Sequence, residues 1–333
     1  MQLLHMGEEQ GMPHDVEVFA FGEPLVGIYP PRGMSIADDV PLSKTWGGDT
    51  SNFVLAVSKL GHRAAYLSKV GDDVFGHGFL NLWRASGVDV AGVVVDKTHP
   101  TGIYFASYSQ SGHEFVYYRR GSAAGSMTPD DIRLEDLSLA KAMHISGISQ
   151  GIGSNGVDTS FALMKFAKKN GIMVSYDVNY RPLLWSQGAA RETATLSIAE
   201  YVDILELTSD EMKLMGWGDS PEDIVHHLPR VPRIIAVKMG AGGCCVLGEG
   251  KKITVPGFTI DVADTVGAGD AFDAALVSGV LEGMGLEELG TFANAVGALT
   301  CRGIGPLRTQ PQREEAEALI SRLGRAEHIT QQM

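Results

Sequence analysis

Short apolar runs rich in β-branched residues alternate with amphipathic stretches along most of this chain, the pattern of strand-and-helix units built on a parallel sheet. Residues 16–21 predict a first strand ending at Gly22, residues 52–60 a helix closed by Gly61, and residues 64–70 the next strand. A helix over 75–85, a strand at 144–146, a helix over 158–169 and a strand over 172–177 continue the alternation. So do a strand at 204–207, a helix from Asp210 and a strand over 234–238. The last third turns helical: 268–282 and 286–302 are separated by Gly283 and Gly285, and a final helix covers 312–323.

Two segments break this rhythm. Residues 40–46 and 102–119 alternate polar positions with β-formers and aromatics, and the second contains Gln110-Ser111-Gly112, a turn between two strands. They predict a small antiparallel sheet inserted into the parallel framework. It would carry Tyr104, Tyr108, Tyr117 and Tyr118, so one of its faces is expected to cover a ligand or a second chain. The expected architecture is a single α/β domain over 16–323, with a doubly wound, mostly parallel sheet flanked by helices and a small antiparallel lid. Residues 1–15 read as a loose polar leader.

Composition narrows the function classes. Of 333 residues, 44% are hydrophobic and 20% charged, the balance of a globular protein with a real core. A net charge of -13 argues against a sequence-independent grip on nucleic acid or on an anionic membrane. No apolar run approaches the roughly 18 residues of a membrane span, so a cytoplasmic location is expected. Cys244, Cys245 and Cys301 form no C-x-x-C pair and no zinc set with the histidines; reduced thiols are the simpler reading.

The segment Asp264 to Asp270 carries the most chemistry. Gly267-Ala268-Gly269 permits a sharp turn whose N–H groups can point at an anion, and the helix that follows adds the positive end of its dipole. Asp270 could accept the proton of an attacking hydroxyl beside that anion hole. It could equally be an acidic first-turn residue, and local chemistry leaves the two level. A second cluster, Lys238-Met239-Gly240-Ala241-Gly242-Gly243, joins two apolar strands and alone is most simply a turn.

Together these residues resemble the ribokinase-like (PfkB) carbohydrate kinases. Asp264-Thr265-x-Gly267-Ala268-Gly269-Asp270 is similar to that family's C-terminal signature. Gly47-Gly48-Asp49-Thr50-Ser51-Asn52, followed by Lys69-Val70-Gly71-Asp72-Asp73-x-Phe75-Gly76, is similar to its N-terminal one. The resemblance implies ATP and Mg²⁺, with a monovalent cation left open. It implies that Gly267, Ala268 and Gly269 form the anion hole and that Asp270 is the base. Lys238, Gly240, Gly242 and Gly243 would line the nucleotide site, with Asn294 facing the adenine. Gly48, Asp49 and Asn52 would face the sugar, and Glu211 would bear on Mg²⁺ through water.

Within the family, Gly22-Glu23-Pro24-Leu25-Val26, residues 117–124 and residues 177–185 are most similar to 2-keto-3-deoxygluconate kinases. That likeness implies a sugar acid as acceptor. Arg119 and Arg181 offer planar forks for a carboxylate or phosphate, Asn179 and Arg181 lie toward the nucleotide, and Tyr104 and Tyr117 could close over the sugar. The expected reaction is phosphorylation of a primary hydroxyl of 2-keto-3-deoxygluconate. Kinases of 5-keto-2-deoxygluconate, tagatose or fructose are the alternatives, and a non-catalytic sugar sensor is a remote one. A homo-oligomer, a dimer or larger, is expected through the lid. Gly151-Ile152-Gly153-Ser154-Asn155-Gly156 also spells a dinucleotide-binding fingerprint, with Asp177 at the spacing of a ribose ligand. Nothing else in the chain supplies hydride chemistry, so an ordinary loop at the cleft edge is the preferred reading.

Overall fold

A computed structural model describes residues 16–331 apart from 110, 111 and 154. The expected leader at 1–15 and the Gln110-Ser111 turn lie outside the described residues. In chain order the elements begin β1 (Val18–Phe21), β2 (Leu25–Tyr29), β3 (Ser43–Gly47), α1 (Asp49–Lys59), β4 (Ala64–Gly71), α2 (Val74–Ala85) and β5 (Val93–Asp96). Then come β6 (Gly102–Ser109), β7 (Gly112–Tyr118), β8 (Ala142–Ser146), α3 (Gly147–Gly151), α4 (Gly156–Lys169), β9 (Met173–Asp177) and α5 (Gln187–Glu200). The remainder is β10 (Ile204–Thr208), α6 (Ser209–Leu214), α7 (Ile224–His227), β11 (Ile234–Lys238), β12 (Cys244–Gly248), β13 (Lys251–Val255), α8 (Ala268–Glu282), α9 (Leu286–Thr300) and α10 (Arg313–Gln331).

The main sheet has nine strands in the order β13-β12-β11-β10-β9-β8-β1-β4-β5. From β11 to β5 every neighbour pairs parallel, while β12 and β13 form an antiparallel edge. The parallel strands are buried on both faces, hence their nearly unbroken apolar runs. One core packs α1, α2, α8 and α9 against one face of the sheet, and a second packs α4 and α5 against the other. The chain builds outward from β1 to β4 and β5, then returns to lay β8 on the opposite side of β1. Strand order therefore reverses between β1 and β8, and the crevice beyond their carboxyl ends is where such sheets bind ligands.

The lid is a four-stranded sheet in the order β3-β2-β6-β7. It differs from expectation in two ways. β2 belongs to it, because the chain leaves the main sheet at Gly22-Glu23-Pro24 and does not continue β1. In addition, β2 and β6 run parallel, so the lid is mixed and not wholly antiparallel. Tyr104 and Ala106 are buried on its inner side with Leu25 and Tyr29, and Phe115, Tyr117 and Ile304 pack against them.

Candidate active site

The site forms where the carboxyl ends of β1 and β8–β11 meet the amino ends of α1, α6 and α8. Gly267 caps α8 in the left-handed region at φ 82°. A Cβ there would lie 2.4 Å from Pro306 Cβ, so both the conformation and the space require glycine. The Ala268 N–H turns back to Thr265 O at 3.2 Å. Gly269 and Asp270 stand in the first turn, where no intrahelical carbonyl is available to their N–H groups. Of the expected anion hole, Ala268 therefore already has a backbone partner.

Asp270 accepts a 2.7 Å hydrogen bond from Asn52 Nδ2, which joins the two ends of the chain across the cleft. Burial pushes the Asp270 carboxyl up to about 7; Asp49 and Asp177 raise it further, while Asn52 and Lys238 oppose the rise. A carboxyl with its pKa near neutrality, beside an open helix end, is suited to taking a hydroxyl proton. The other sugar-side candidates gather around it. Gly48 sits at φ 101°, and a Cβ on it would lie 2.2 Å from Glu23 O. Asp49 accepts a hydrogen bond from Ser146 Oγ, while its buried Oδ1 has no partner. Such an orphaned acceptor fits a ligand hydroxyl. Asn52 donates its Nδ2 to Asp270 and so orients it, while its buried Oδ1 has no partner and, like that of Asp49, fits a ligand hydroxyl.

Arg119 departs from expectation. It is 9% exposed and ion-paired with Glu23, which is itself 1% exposed and accepts a 2.5 Å hydrogen bond from Ser122 Oγ. Burial raises the Glu23 pKa, with Arg119 and Ser122 acting against that rise. The guanidinium thus arrives at the site with a buried carboxyl beside it, while its Nε and Nη2 have no hydrogen-bond partner. Tyr104 bonds the hydroxyl of Tyr29 at 2.8 Å and is buried in the lid, whereas Tyr117 lies beside Arg119. Tyr118 is 68% exposed on the lid's outside. Arg181 is exposed, donating to Tyr180 O at 3.0 Å, with Glu211 3.9 Å away. Asn179 is buried with φ 34°.

On the nucleotide side, Gly240 to Gly242 form a short 3-10 turn, and Gly243 at φ 91° could not hold a Cβ, which would lie 2.1 Å from Val255 O. Asn294 donates at 3.2 Å to both Val255 O and Pro256 O, so it braces the segment after β13. Lys238 does not point freely into the loop. Its ammonium lies between Asp273, at 2.9 and 3.0 Å, and Asp177, at 3.1 Å.

Glu211 completes a capping box on α6: its Oε2 accepts from Thr208 N and Oγ1, and its Oε1 accepts from Tyr180 N at 2.9 Å. Among the described residues there is no group of three carboxylates, histidines or cysteines placed to hold a metal. In the Gly151–Gly156 segment, Gly151 ends α3 and Gly153 packs against Gly125 O, while Asp177 faces Lys238. The described glycines of the dinucleotide fingerprint are thus packed against neighbouring backbone or side chains, Ser154 lies outside the described residues, and the fingerprint's acid is engaged elsewhere. A cavity of about 730 Å³ lined by Met284, Leu286, Phe292 and Ile320 lies at the α8–α9 turn, away from this cleft.

Residues 32–313 match the pfkB family of carbohydrate kinases. The chain belongs to that family. Among its relatives, Fructokinase-1 of Zea mays is 34% identical over 316 residues, covering 92% of this chain and 98% of that protein. Among solved structures, an E. coli protein proposed to be Ribokinase II, in complex with ATP and Mg²⁺, superposes with a TM-score of 0.85 at 26% identity, covering 92% of this chain and 99% of that one. A 2-dehydro-3-deoxygluconokinase from Thermotoga maritima shares the fold at TM-score 0.84 and 24% identity, with the same coverage. The pfkB fold, with its ribokinase-like sheet and lid, is therefore the fold of this carbohydrate kinase.

Several residues around this site were not named as site candidates from the sequence: Glu23, Ser146, Glu206, Asp273 and Pro306. Two of them carried a readable signal. Glu206 interrupts the apolar strand Ile204–Thr208, and Asp273 interrupts the apolar helix after Asp270. A charge in an otherwise buried run is rarely accidental.

Proposed function

We propose that this carbohydrate kinase transfers the γ-phosphoryl of ATP to a primary hydroxyl of a sugar, with Asp270 as the general base. The observation that carries this reading is the half-buried Asp270 carboxyl, lifted to about 7 and oriented by Asn52 at the open end of α8. The hydroxyl proton passes to Asp270 as the sugar oxygen forms its bond to phosphorus. The bond to the bridging oxygen breaks, and ADP leaves with that electron pair. The Gly269 and Asp270 N–H groups stabilise charge on the moving group. Gly240, Gly242, Gly243 and Asn294 shape the nucleotide side, and Mg²⁺ would neutralise phosphate charge, with Glu211 bearing on it through water.

For the acceptor, the Glu23–Arg119 pair favours a neutral keto-sugar such as fructose over a sugar acid. A guanidinium already matched by a buried carboxylate gains little from a second one. The fructokinase relatives agree with this preference. The reading in which 2-keto-3-deoxygluconate is the acceptor rests on Arg181, the exposed arginine near the cleft. Initial rates with ATP and Mg²⁺ across fructose, tagatose, 2-keto-3-deoxygluconate and 5-keto-2-deoxygluconate separate the two. Higher kcat/KM on the keto acid than on fructose would reverse the assignment, and no turnover on any sugar would remove the kinase reading.

A further inference from the structure

One buried group at this site has no part in the scheme above. Lys238 ends β11, and its side chain is 11% exposed. Its ammonium bridges both oxygens of Asp273, at 2.9 and 3.0 Å, and lies 3.1 Å from Asp177 Oδ1. Asp273 lies one helical turn after Asp270 on α8 and is 0% exposed, while Asp177 ends β9. Burial works against the lysine's charge, but Asp177, Asp273 and Glu211 outweigh it and hold the ammonium above its ordinary pKa. Burial also pushes the Asp273 carboxyl toward its neutral form. The two-oxygen contact to an ammonium opposes that and keeps it an anion. Glu206, which is 0% exposed, is likewise raised, to about 8, by burial.

The direction of Lys238 is what matters. A Cβ built on Gly269 would find the Lys238 Nζ at 3.5 Å as its neighbour. The ammonium therefore abuts the first turn of α8, where the Gly269 and Asp270 N–H groups have no intrahelical partner. A structural ion pair could have been buried anywhere along α8, and burying one costs about as much as it returns. Here the carboxylates hold the charge in place on the side of the helix end where phosphoryl charge develops, and Asp270 feels it as a downward pull on its pKa.

We propose that Lys238 is a further catalytic residue of the phosphoryl transfer, held against Gly269 by Asp177 and Asp273 so that its ammonium takes up charge on the transferring group. This rests on the kinase reading above. Asp177 and Asp273 are positioning residues, acting through the lysine.

The test compares the parent with Lys238→Met, Lys238→Arg, Asp273→Asn and the double variant Lys238→Met/Asp273→Asn, which removes one charge of each sign. Lys238→Met is expected to lower kcat on the order of 100-fold or more, with the sugar KM within a few-fold. Asp273→Asn is expected to lower kcat at unchanged KM, and Lys238→Arg to retain part of the activity. The double variant should fold like the parent and stay as slow as Lys238→Met. Near-parental turnover in the double variant or in folded Lys238→Met would overturn the proposal, leaving the lysine a charge balancer. A second readout is independent of the sugar: the affinity for ADP with aluminium fluoride relative to ADP alone. Lys238→Met should lose that preference, and retaining it would also overturn the proposal. A parent that turns over no sugar yet prefers the fluoride complex would sink the acceptor reaction while leaving the role of Lys238 standing.

Discussion

Replacing Asp270 with Asn should remove catalysis and make the protein more stable, and the second effect is as informative as the first. Moving a carboxyl from its ordinary 3.8 to about 7 disfavours its ionised form in the folded state by about 4 kcal/mol. Asp270 is only partly shielded from the cleft, so solvent takes a share of this and about 2 kcal/mol is the working figure. The sign follows from linkage. Between pH 3.8 and about 7 the folded state binds more protons at this carboxyl than the unfolded state does, so its contribution to stability is complete below pH 3.8 and is lost as pH rises through 7. Asparagine keeps the shape and can still accept the Asn52 hydrogen bond, but it never ionises. Urea unfolding of parent and variant should therefore coincide near pH 4 and diverge by about 2 kcal/mol at pH 8, with the variant the more stable. Turnover should fall roughly 100-fold to 10,000-fold. A variant no more stable than the parent at pH 8, or a gap independent of pH, would show that Asp270 carries no such strain.

Four further outcomes are expected. For the parent, log kcat/KM should rise with unit slope up to an apparent pKa of about 7 and then level, as the base ionises; a profile flat from pH 5 to 8 would count against Asp270. Gly267→Ala places a Cβ 2.4 Å from Pro306 in a left-handed turn and should cost about 100-fold in kcat with a lowered melting temperature; parental kinetics would mean that the turn is not the anion hole. Glu23→Gln frees the charge of Arg119 and should raise the ratio of sugar-acid to neutral-sugar kcat/KM, and an unchanged ratio would remove Arg119 from acceptor selection. On the lid's β7, Val116 is 47% and Tyr118 68% exposed, so sedimentation should show a dimer or larger that Val116→Asp/Tyr118→Asp weakens; a monomeric parent at micromolar concentration would refute it.

The framework was legible because both of its periodicities are strong. Buried parallel strands such as Ile234–Lys238 read as apolar runs, and α8 was bounded correctly by Gly267 and Gly283, each in the left-handed conformation. The glycine turn before α8 was legible because few sequences need so many small residues before a helix, while local chemistry left Asp270 level between a base and a first-turn acid. The final helix was read short, because its polar continuation to Gln331 lacks an apolar stripe that would mark its end. The lid was legible only in part: nothing local tells Leu25–Tyr29 that it leaves one sheet for another. Pairings across the fold were hidden altogether. Arg119 reads as a free fork until Glu23 is brought beside it from about a hundred residues away, and Lys238 reads as a strand-end cation facing a nucleotide until Asp273 is packed beneath it.

The join between lid and domain has a mechanical consequence. β3 ends at Gly47 and α1 begins at Asp49, leaving only Gly48 between a lid strand and the helix that presents Asp49 and Asn52. Pro306 lies close to both Gly47 and Gly267. A tilt of the lid therefore has no slack in which to dissipate and is delivered to Asp49 and to Asn52, which holds Asp270. The same chain has ample slack in the largely exposed stretch 31–42 before β3. Insertions or deletions there should be absorbed silently, while a single extra residue at 47–49 should uncouple cover from grip. The protein can thus vary how much of the cleft it covers without touching how it fires, provided that one glycine keeps the two in gear.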